Sequence, residues 1–526
     1  MLSTLLSTLI LASASVGARA AITFQSTGNP ILADGSYYSA DPAPLVVNDT
    51  LYILAGRDQA AANVNDFVMN EWEIFSTNSA TPAGGSWTLY PAIATPQSIF
   101  KWAAAGTAYA AQIVKGINGK FYLYAPVTEA NSNNADKFAI GVSVCNQEVS
   151  AKIITFANRT QVAVSSNPLG PFTDAHPAGP ILSQSIPSPG NNIQNIDPTV
   201  LVDDDGKVYI YYGTFGALRG YQLSSDMATT VGSVTTVNSL TGFFEAPWIM
   251  KRSGTYYMLY AANNAGANSP CTPTSYHACI AYGTASSPLG PWTFRGVILD
   301  IVSSTTSHSG AVEYKGKWYL VYHTADATNG GHFRRSVAWD ELNFDTQSPP
   351  RINKVVQTHR ALSAPVPTRN IAPKAKASSV NATPIQYWVE SLHDGKIPSN
   401  PLPPDYWSSY DGDASPKTST LIYTWSSAVA LNGVRMAFFA DQPAGSNIGV
   451  PPPASWKVEY LNTAGQWTAV ANSNAYPVTV TDNPSEVKFT QINTTSIRAV
   501  LTASGSGNQY GGVGVKEWEA LAPTAS

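Results

Sequence analysis

The sequence predicts an all-β protein, a five-bladed β-propeller followed by a β-sandwich. Three observations carry that expectation. A hairpin phrase returns five times between residues 41 and 323, a loop sequence recurs in nearly the same letters, and the pattern changes after a Pro-containing stretch at 363–369. All-β repeats at a period of a few tens of residues point to a radial array of small sheets. At 526 residues the chain is too long for one ordinary core, so two or three domains are expected. Only 12% of residues are charged, while 11% are aromatic and Gly and Pro are abundant, which suits strands and turns better than helices.

In order along the chain, residues 1–20 carry an apolar run from Leu5 to Ala14 and end in Ala18-Arg19-Ala20. A short apolar run before small residues is the pattern of a secretory signal peptide, and it is too short to span a bilayer. The protein is therefore expected to be secreted to the extracellular space, with no membrane partner. Residues 21–362 hold the five hairpins. Each is a short apolar strand, a turn and an aromatic-rich strand: Asp41 to Ala55, Tyr109 to Ala125, Asp197 to Gly213, Glu245 to Tyr260 and Ser309 to His323. Their turns are rich in Asn, Asp, Gly and Lys, as tight β-turns require. The acids Asp203, Asp204 and Asp205 precede Gly206 in one such turn and read as a solvated hairpin tip rather than a metal loop. The duplicated loops are Ser166-Asn-Pro-Leu-Gly-Pro-Phe and Ser286-Ser-Pro-Leu-Gly-Pro-Trp. Residues 363–369 read as a linker and 370–526 as a β-sandwich, a carbohydrate-binding or supporting domain. Trp407, Trp425, Trp456, Trp467 and Trp518 lie in it, and most of these are expected in its core.

Charge and cysteine usage narrow the partners. The net charge is -4 with no basic cluster, which leaves nucleic acid without an electrostatic footprint. A carbohydrate is the expected partner, and the chain is expected to act as a monomer. Three cysteines are too few to carry a secreted fold. Cys271 and Cys279 lie in one polar loop, where a loop-closing disulfide is plausible, and Cys145 is expected as a buried thiol. Asn48, Asn158, Asn381 and Asn493 head glycosylation sequons, in keeping with export.

In a propeller the innermost strand of each blade lines the central channel, so residues at its start crowd around the axis. Asp41, Asp197 and Glu245 stand at the starts of three such strands, in what reads as one common register. Solvation explains any single acid there, but it does not predict three.

The residues Asn29-Pro30-Ile31-Leu32, Tyr38-Ser-Ala-Asp41-Pro42, Ile196-Asp197-Pro198-Thr199, Phe244-Glu245-Ala246-Pro247 and His308-Ser-Gly-Ala-Val resemble glycoside hydrolase family 43 over about 28–360. The resemblance implies an inverting hydrolase on a five-bladed propeller, acting on arabinose-, xylose- or galactose-containing glycans. It further implies Asp41 as general base, Glu245 as general acid and Asp197 as the carboxylate that orients the acid and tunes its pKa. Inversion needs one ionised and one protonated carboxyl, roughly 6.5 to 9.5 Å apart with a water between. Nearby like charges are expected to help keep Glu245 protonated. The resemblance also implies a place for His308 near the axis, holding water or a metal ion. It implies a substrate-contacting arginine at Arg334 or Arg335, and Trp102, Phe244 and Trp248 as sugar-stacking residues. Tyr109-Ala110-Ala111 departs from the Trp-Ala-Pro of many relatives. Separately, Asp394-Gly395, Pro453-Ala-Ser-Trp456-Lys-Val-Glu-Tyr and Gly514-Val-Lys-Glu517-Trp518 resemble a discoidin-type, galactose-binding-like domain.

These readings converge on a secreted exo-glycosidase releasing α-L-arabinofuranosyl or β-D-xylosyl residues from plant polysaccharides or oligosaccharides. An exo-β-galactosidase acting on galactan or arabinogalactan is the alternative within the same chemistry, and a non-catalytic glycan-binding propeller the alternative from another class. No cofactor is expected to be required, with a structural calcium ion left open.

Overall fold

Turn chemistry and strand alternation set the local structure from which the propeller is built. The computed structural model describes residues 20–80, 84–132, 137–145, 167–183, 194–262, 269–271, 278–303, 306–359, 369–472 and 474–523. The expected signal peptide and linker fall outside these residues except at Ala20 and Arg369, as does the sequon at Asn158.

Five antiparallel sheets follow one another along the chain. Blade 1 is Tyr38–Val47, Thr50–Asp58, Trp72–Thr77 and Ser86–Ala94, with Ile22–Gln25 on its outer edge. Blade 2 is Gln112–Lys115, Phe121–Thr128, Phe138–Cys145 and Phe172–Asp174. Blade 3 is Thr199–Val202, Val208–Tyr212, Leu218–Leu223 and Thr230–Val237. Blade 4 is Phe243–Arg252, Thr255–Ala262, Cys279–Ala285 and Thr293–Leu299. Blade 5 is Ser309–Tyr314, Lys317–Thr324 and Ser336–Glu341. Segment 29–39 runs along the last of these. Ile31 N donates to Val337 O at 2.8 Å, and the Asn29 side chain both donates to Trp339 O and accepts from Trp339 N. The ring of blades is thereby tied from first to last.

The hairpins turn where the sequence places Asn, Asp and Gly. Asn48 and Asp49, Ser253 and Gly254, and Lys315 and Gly316 all have positive φ, the torsions that let a two-residue turn follow the twist of its strands. One tip differs from expectation. Asp203 is buried rather than solvated, because Lys251 and the Tyr256 hydroxyl of blade 4 both close on its carboxylate. Only its neighbours Asp204 and Asp205 face water.

Apolar clusters lie between successive blades. Tyr124, Ile140 and Val142 of blade 2 meet Ile210 and Tyr212 of blade 3, and Tyr211 and Leu218 of blade 3 meet Met258 and Tyr260 of blade 4. Blades 1 and 5 meet through Ile53, Phe75, Trp87, Val321 and Trp339. Burying each such side chain is worth about 1.5–3 kcal/mol. These walls fix the blades so that all innermost strands start on one face.

The C-terminal β-sandwich is made by two long strands that bend. Thr418–Phe439 pairs over its first half with Lys376–Ser379 and Ser485–Thr502, and over its second half with Ser485–Thr502 and Gly514–Leu521. Register breaks between Thr424 and Val429 and between Leu431 and Gly433 mark the bend, and the two halves enclose one core. Trp407, Trp425, Trp456 and Trp518 are in that core, while Trp467 is half-buried under the Arg498 guanidinium.

Candidate active site

The site is built on the face where the innermost strands begin. Asp41 and Asp197 each adopt left-handed backbone (φ 55° and 56°) immediately before a proline, and in blade 4 that place belongs to Ala246 (φ 56°), before Pro247. Strand pairing gives the same offset. Ala40 pairs with Gly56 and Ala43 with Leu54, just as Glu245 pairs with Ala261 and Trp248 with Leu259, one extra residue being inserted each time. Glu245 thus corresponds to Ala40 and not to Asp41. The expected common register holds for the two aspartates and fails for the glutamate: the strands of blades 1 and 4 carry the same β-bulge, but the place before the proline that holds an aspartate in blades 1 and 3 holds Ala246 in blade 4. Glu245, one position earlier and one methylene longer, still comes within electrostatic reach of Asp41 and Asp197.

Around Asp41 the pocket is cationic. Arg335 Nη1 lies 3.0 Å from Asp41 Oδ1. Its Nε and Nη2 each donate to Asp58 at 2.9 Å, and its backbone N–H donates to Asp58 as well. The Phe67 ring covers the guanidinium at 5.0 Å. Arg335 is the arginine of the pair that enters the site; Arg334 turns to the rim, where it donates to Asn329 O and Ala61 O. His308 Nδ1 stands 3.9 Å from Asp41 Oδ1. His323 is nearer still, its Nδ1 accepting from the Asp41 backbone N–H at 3.2 Å while Nε2 faces Thr306 O. Burial, the largest single influence, would raise the Asp41 pKa, but the Arg335 charge, the His323 hydrogen bond and the nearby imidazoles together outweigh it and hold the carboxyl well below the usual carboxylate range. Burial instead keeps His308 neutral, lowering its pKa to about 4 against the pull of Asp41.

Around Glu245 the balance is opposite. Burial pushes its pKa up to about 7; the hydrogen bond donated by Thr214 at 3.0 Å opposes the rise and the Asp41 charge adds to it. Asp197 is also raised, first by burial and then by the charges of Glu245 and Asp41, although its Oδ2 accepts from Ala246 N at 3.1 Å. Desolvation, more than the like charges expected from the sequence, is what favours the protonated form. One buried pocket therefore holds a carboxylate kept ionised and a carboxyl kept protonated near neutral pH, the pairing that general acid–base chemistry needs.

Residues 27–348 match glycosyl hydrolases family 43. The chain belongs to this family. As a family 43 protein it is a glycoside hydrolase. It is 27% identical over 352 residues to a xylosidase/arabinosidase of Bacteroides ovatus, covering 59% of this chain and 92% of that one. Xylosidase/arabinosidase 43A of Humicola insolens is 28% identical over 359 residues, 59% of this chain and 94% of its own. An arabinoxylan arabinofuranohydrolase of Bacillus subtilis (strain 168) is 31% identical over 332 residues, 56% of this chain and 57% of its own.

Within this family 43 site the remaining expectations separate. Trp102 is half-buried against the core: its ring packs on Gly141 and Phe100, and its Nε1 donates to Asp174. Trp248 is core, 6% exposed among residues of the largest apolar cluster. Trp248 has no open face for a sugar to stack on. Phe244 is half-buried beside the acid and meets the exposed Phe215 edge-to-face at 5.6 Å. Tyr109, where the sequence departs from many relatives, lies within electrostatic reach of Asp41 and Arg335 and stacks on Phe138 at 5.5 Å. Asp58, Phe67, Thr214 and His323 were not visible as site residues in the sequence.

His308 has no cluster of metal-ligating side chains around it among the described residues. Among the described residues no group of three or more His, Cys, Asp or Glu could hold a metal ion, and the one carboxylate near this imidazole is engaged by Arg335. Among the described residues the side chains do not by themselves fit a protein-held metal. Cys271 and Cys279 form a disulfide, and Cys145 is a buried free thiol. The sequon residues Asn48 and Asn493 are exposed, and Asn381 is half-exposed. No helix among the described residues is long and apolar enough to cross a membrane.

Proposed function

We propose that the protein is a secreted, inverting exo-glycosidase that releases terminal α-L-arabinofuranosyl or β-D-xylosyl residues from plant cell-wall polysaccharides or oligosaccharides. The observation that carries this reading is the opposed protonation of Asp41 and Glu245 in one buried pocket. The activities of the three relatives supply the sugars. In this reading Asp41 is the general base, Glu245 the general acid, and Asp197 orients the acid and shares its proton.

The ionised Asp41 takes a proton from a water molecule, whose oxygen attacks the anomeric carbon from the face opposite the leaving group. As the glycosidic C–O bond breaks, Glu245 gives its proton to the departing oxygen, so the products are an inverted sugar hemiacetal and an alcohol. Asp41 ends protonated and Glu245 ionised, and exchange with solvent resets both. Arg335 keeps Asp41 charged and places it, while Asp58 fixes Arg335 by two parallel hydrogen bonds. Proton NMR of the first-formed sugar during hydrolysis of an aryl β-D-xyloside or aryl α-L-arabinofuranoside tests the reading. It predicts inversion at the anomeric carbon; retention would overturn the mechanism, and turnover of neither glycoside the substrate assignment.

A further inference from the structure

The turn after the second strand of blade 3 is Thr214-Phe215-Gly216-Ala217, closed by Ala217 N donating to Thr214 O at 3.1 Å. Its central residues have φ 51° and 82°, the positive values at both positions that mark a type I′ turn. Gly216 takes the second without cost. Asn, Asp or Gly would ordinarily take the first, and a bulky side chain there is strained. Phe215 nonetheless occupies it, and its ring is 59% exposed. An exposed aromatic ring held in disfavoured backbone gains nothing for the fold, which directs attention to what the ring faces.

Its neighbours supply the answer. Thr214, the residue before it, is fully buried and donates its hydroxyl hydrogen to Glu245 Oε2. Gly216 N donates to Phe244 O, so the turn is also fastened to the residue preceding the acid. The Phe244 ring stands nearly perpendicular to that of Phe215, at 86°, bracing its orientation without stacking over its face. Asp41, Arg335 and His308 form a cluster of their own around the proposed base. A group that protonates the glycosidic oxygen necessarily abuts the leaving group, so what lies outward of Glu245 is the leaving-group sugar.

We infer that Phe215, braced by Phe244, is the platform on which the first sugar ring of the leaving group stacks through its C–H face. This assignment rests on the reading of Glu245 as the acid. It makes Phe215 a specificity-determining residue that favours oligosaccharide leaving groups over small ones, a preference that the Asp41 side of the pocket does not supply.

The test compares an oligosaccharide with the methyl glycoside of the same terminal sugar, using whichever glycone the wild-type enzyme turns over. Both leaving groups need protonation, but only the first has a ring to stack. Phe215→Gly removes the ring and suits the turn, so it is expected to unfold no lower than wild type. It should lower kcat/KM for the oligosaccharide roughly tenfold more than for the methyl glycoside, chiefly through KM. Phe215→Trp should restore the preference. Equal losses on both substrates would make Phe215 a support for Glu245 and overturn the inference, as would an unchanged ratio. Turnover of galactosides alone would overturn the sugar proposed above, and the same comparison made on galactosides would still decide the role of Phe215.

Discussion

Arg335 Nη1 lies 3.0 Å from Asp41 Oδ1, and both side chains are buried. That contact is the largest of the influences that let a desolvated carboxylate stay charged, and it depends on Asp58 gripping the other edge of the same guanidinium. A lysine carries the charge but cannot engage two carboxylates with one planar fork. Arg335→Lys should lower kcat about 100-fold by misplacing the base. It should also move the acid limb of the pH–kcat/KM profile upward. The sign follows from the depressed pKa: activity needs ionised Asp41, is present above its pKa and is lost as pH falls through it, so weaker support raises that point. An unchanged acid limb with an unchanged rate would remove Arg335 from this role.

Glu245 sets the other limb. Its pKa is raised to about 7, first by burial, so the protonated acid is present below that pH and is lost as pH rises through it. The kcat/KM profile should therefore fall on its basic side near pH 7. Because Asp197 is coupled to the same proton, the measured value belongs to the pair. Glu245→Gln should abolish that limb and cost about 10²–10⁴-fold on glycosides with poor leaving groups, and far less on a dinitrophenyl glycoside, which departs without protonation. Equal losses on both would contradict the assignment of the acid.

Thr214→Val isolates one hydrogen bond. The hydroxyl donates to Glu245 Oε2 at 3.0 Å and favours the ionised form. Valine keeps the shape and removes the donor, so the basic limb should shift to higher pH. The protein should lose about 1 kcal/mol of stability, measured by chemical denaturation. A shift to lower pH would mean that the hydroxyl supports the protonated acid instead.

Which parts of this site were legible in the sequence follows from how each is specified. The hairpins are written locally, as apolar strands joined by turns such as Asn48-Asp49 and Lys315-Gly316, and the blades follow from their repetition. Asp41-Pro42 and Asp197-Pro198 are legible for the same reason. Glu245-Ala246-Pro247 reads as a third copy, but its acid stands one place before the left-handed residue rather than on it, and backbone torsions and strand pairing are needed to see this. Asp58 and Thr214 sit just where a second strand gives way to its loop, His323 within the second strand of blade 5, and none carries a local signal; their partners are up to several hundred residues away in sequence, as with Arg335 and Asp58 at a separation of 277. Trp248 misleads because a tryptophan near an active-site motif looks the same in sequence whether its ring faces a sugar or a glycine such as Gly310.

The C-terminal sandwich should unfold on its own. Its core is separate, and Tyr423 stacks on Trp518 at 4.2 Å while the Tyr423 hydroxyl hydrogen-bonds both Leu392 O and Trp518 O. Its polar contacts with the propeller include Lys396 to Asp326 at 3.4 Å and Asn400 to Asn63 O at 3.3 Å, both exposed. Exposed pairs of this kind contribute little to stability. Trp518→Ala should therefore cost about 3–5 kcal/mol in one unfolding transition and leave a second, propeller transition in place. Scanning calorimetry would resolve the two. Hydrolysis of a soluble aryl glycoside should persist at temperatures where only the sandwich has melted, while hydrolysis of insoluble polysaccharide should fall if the sandwich holds the enzyme on its polymer. Loss of soluble activity together with the first transition would instead make the sandwich a structural support of the propeller, and the two domains would then be one cooperative unit.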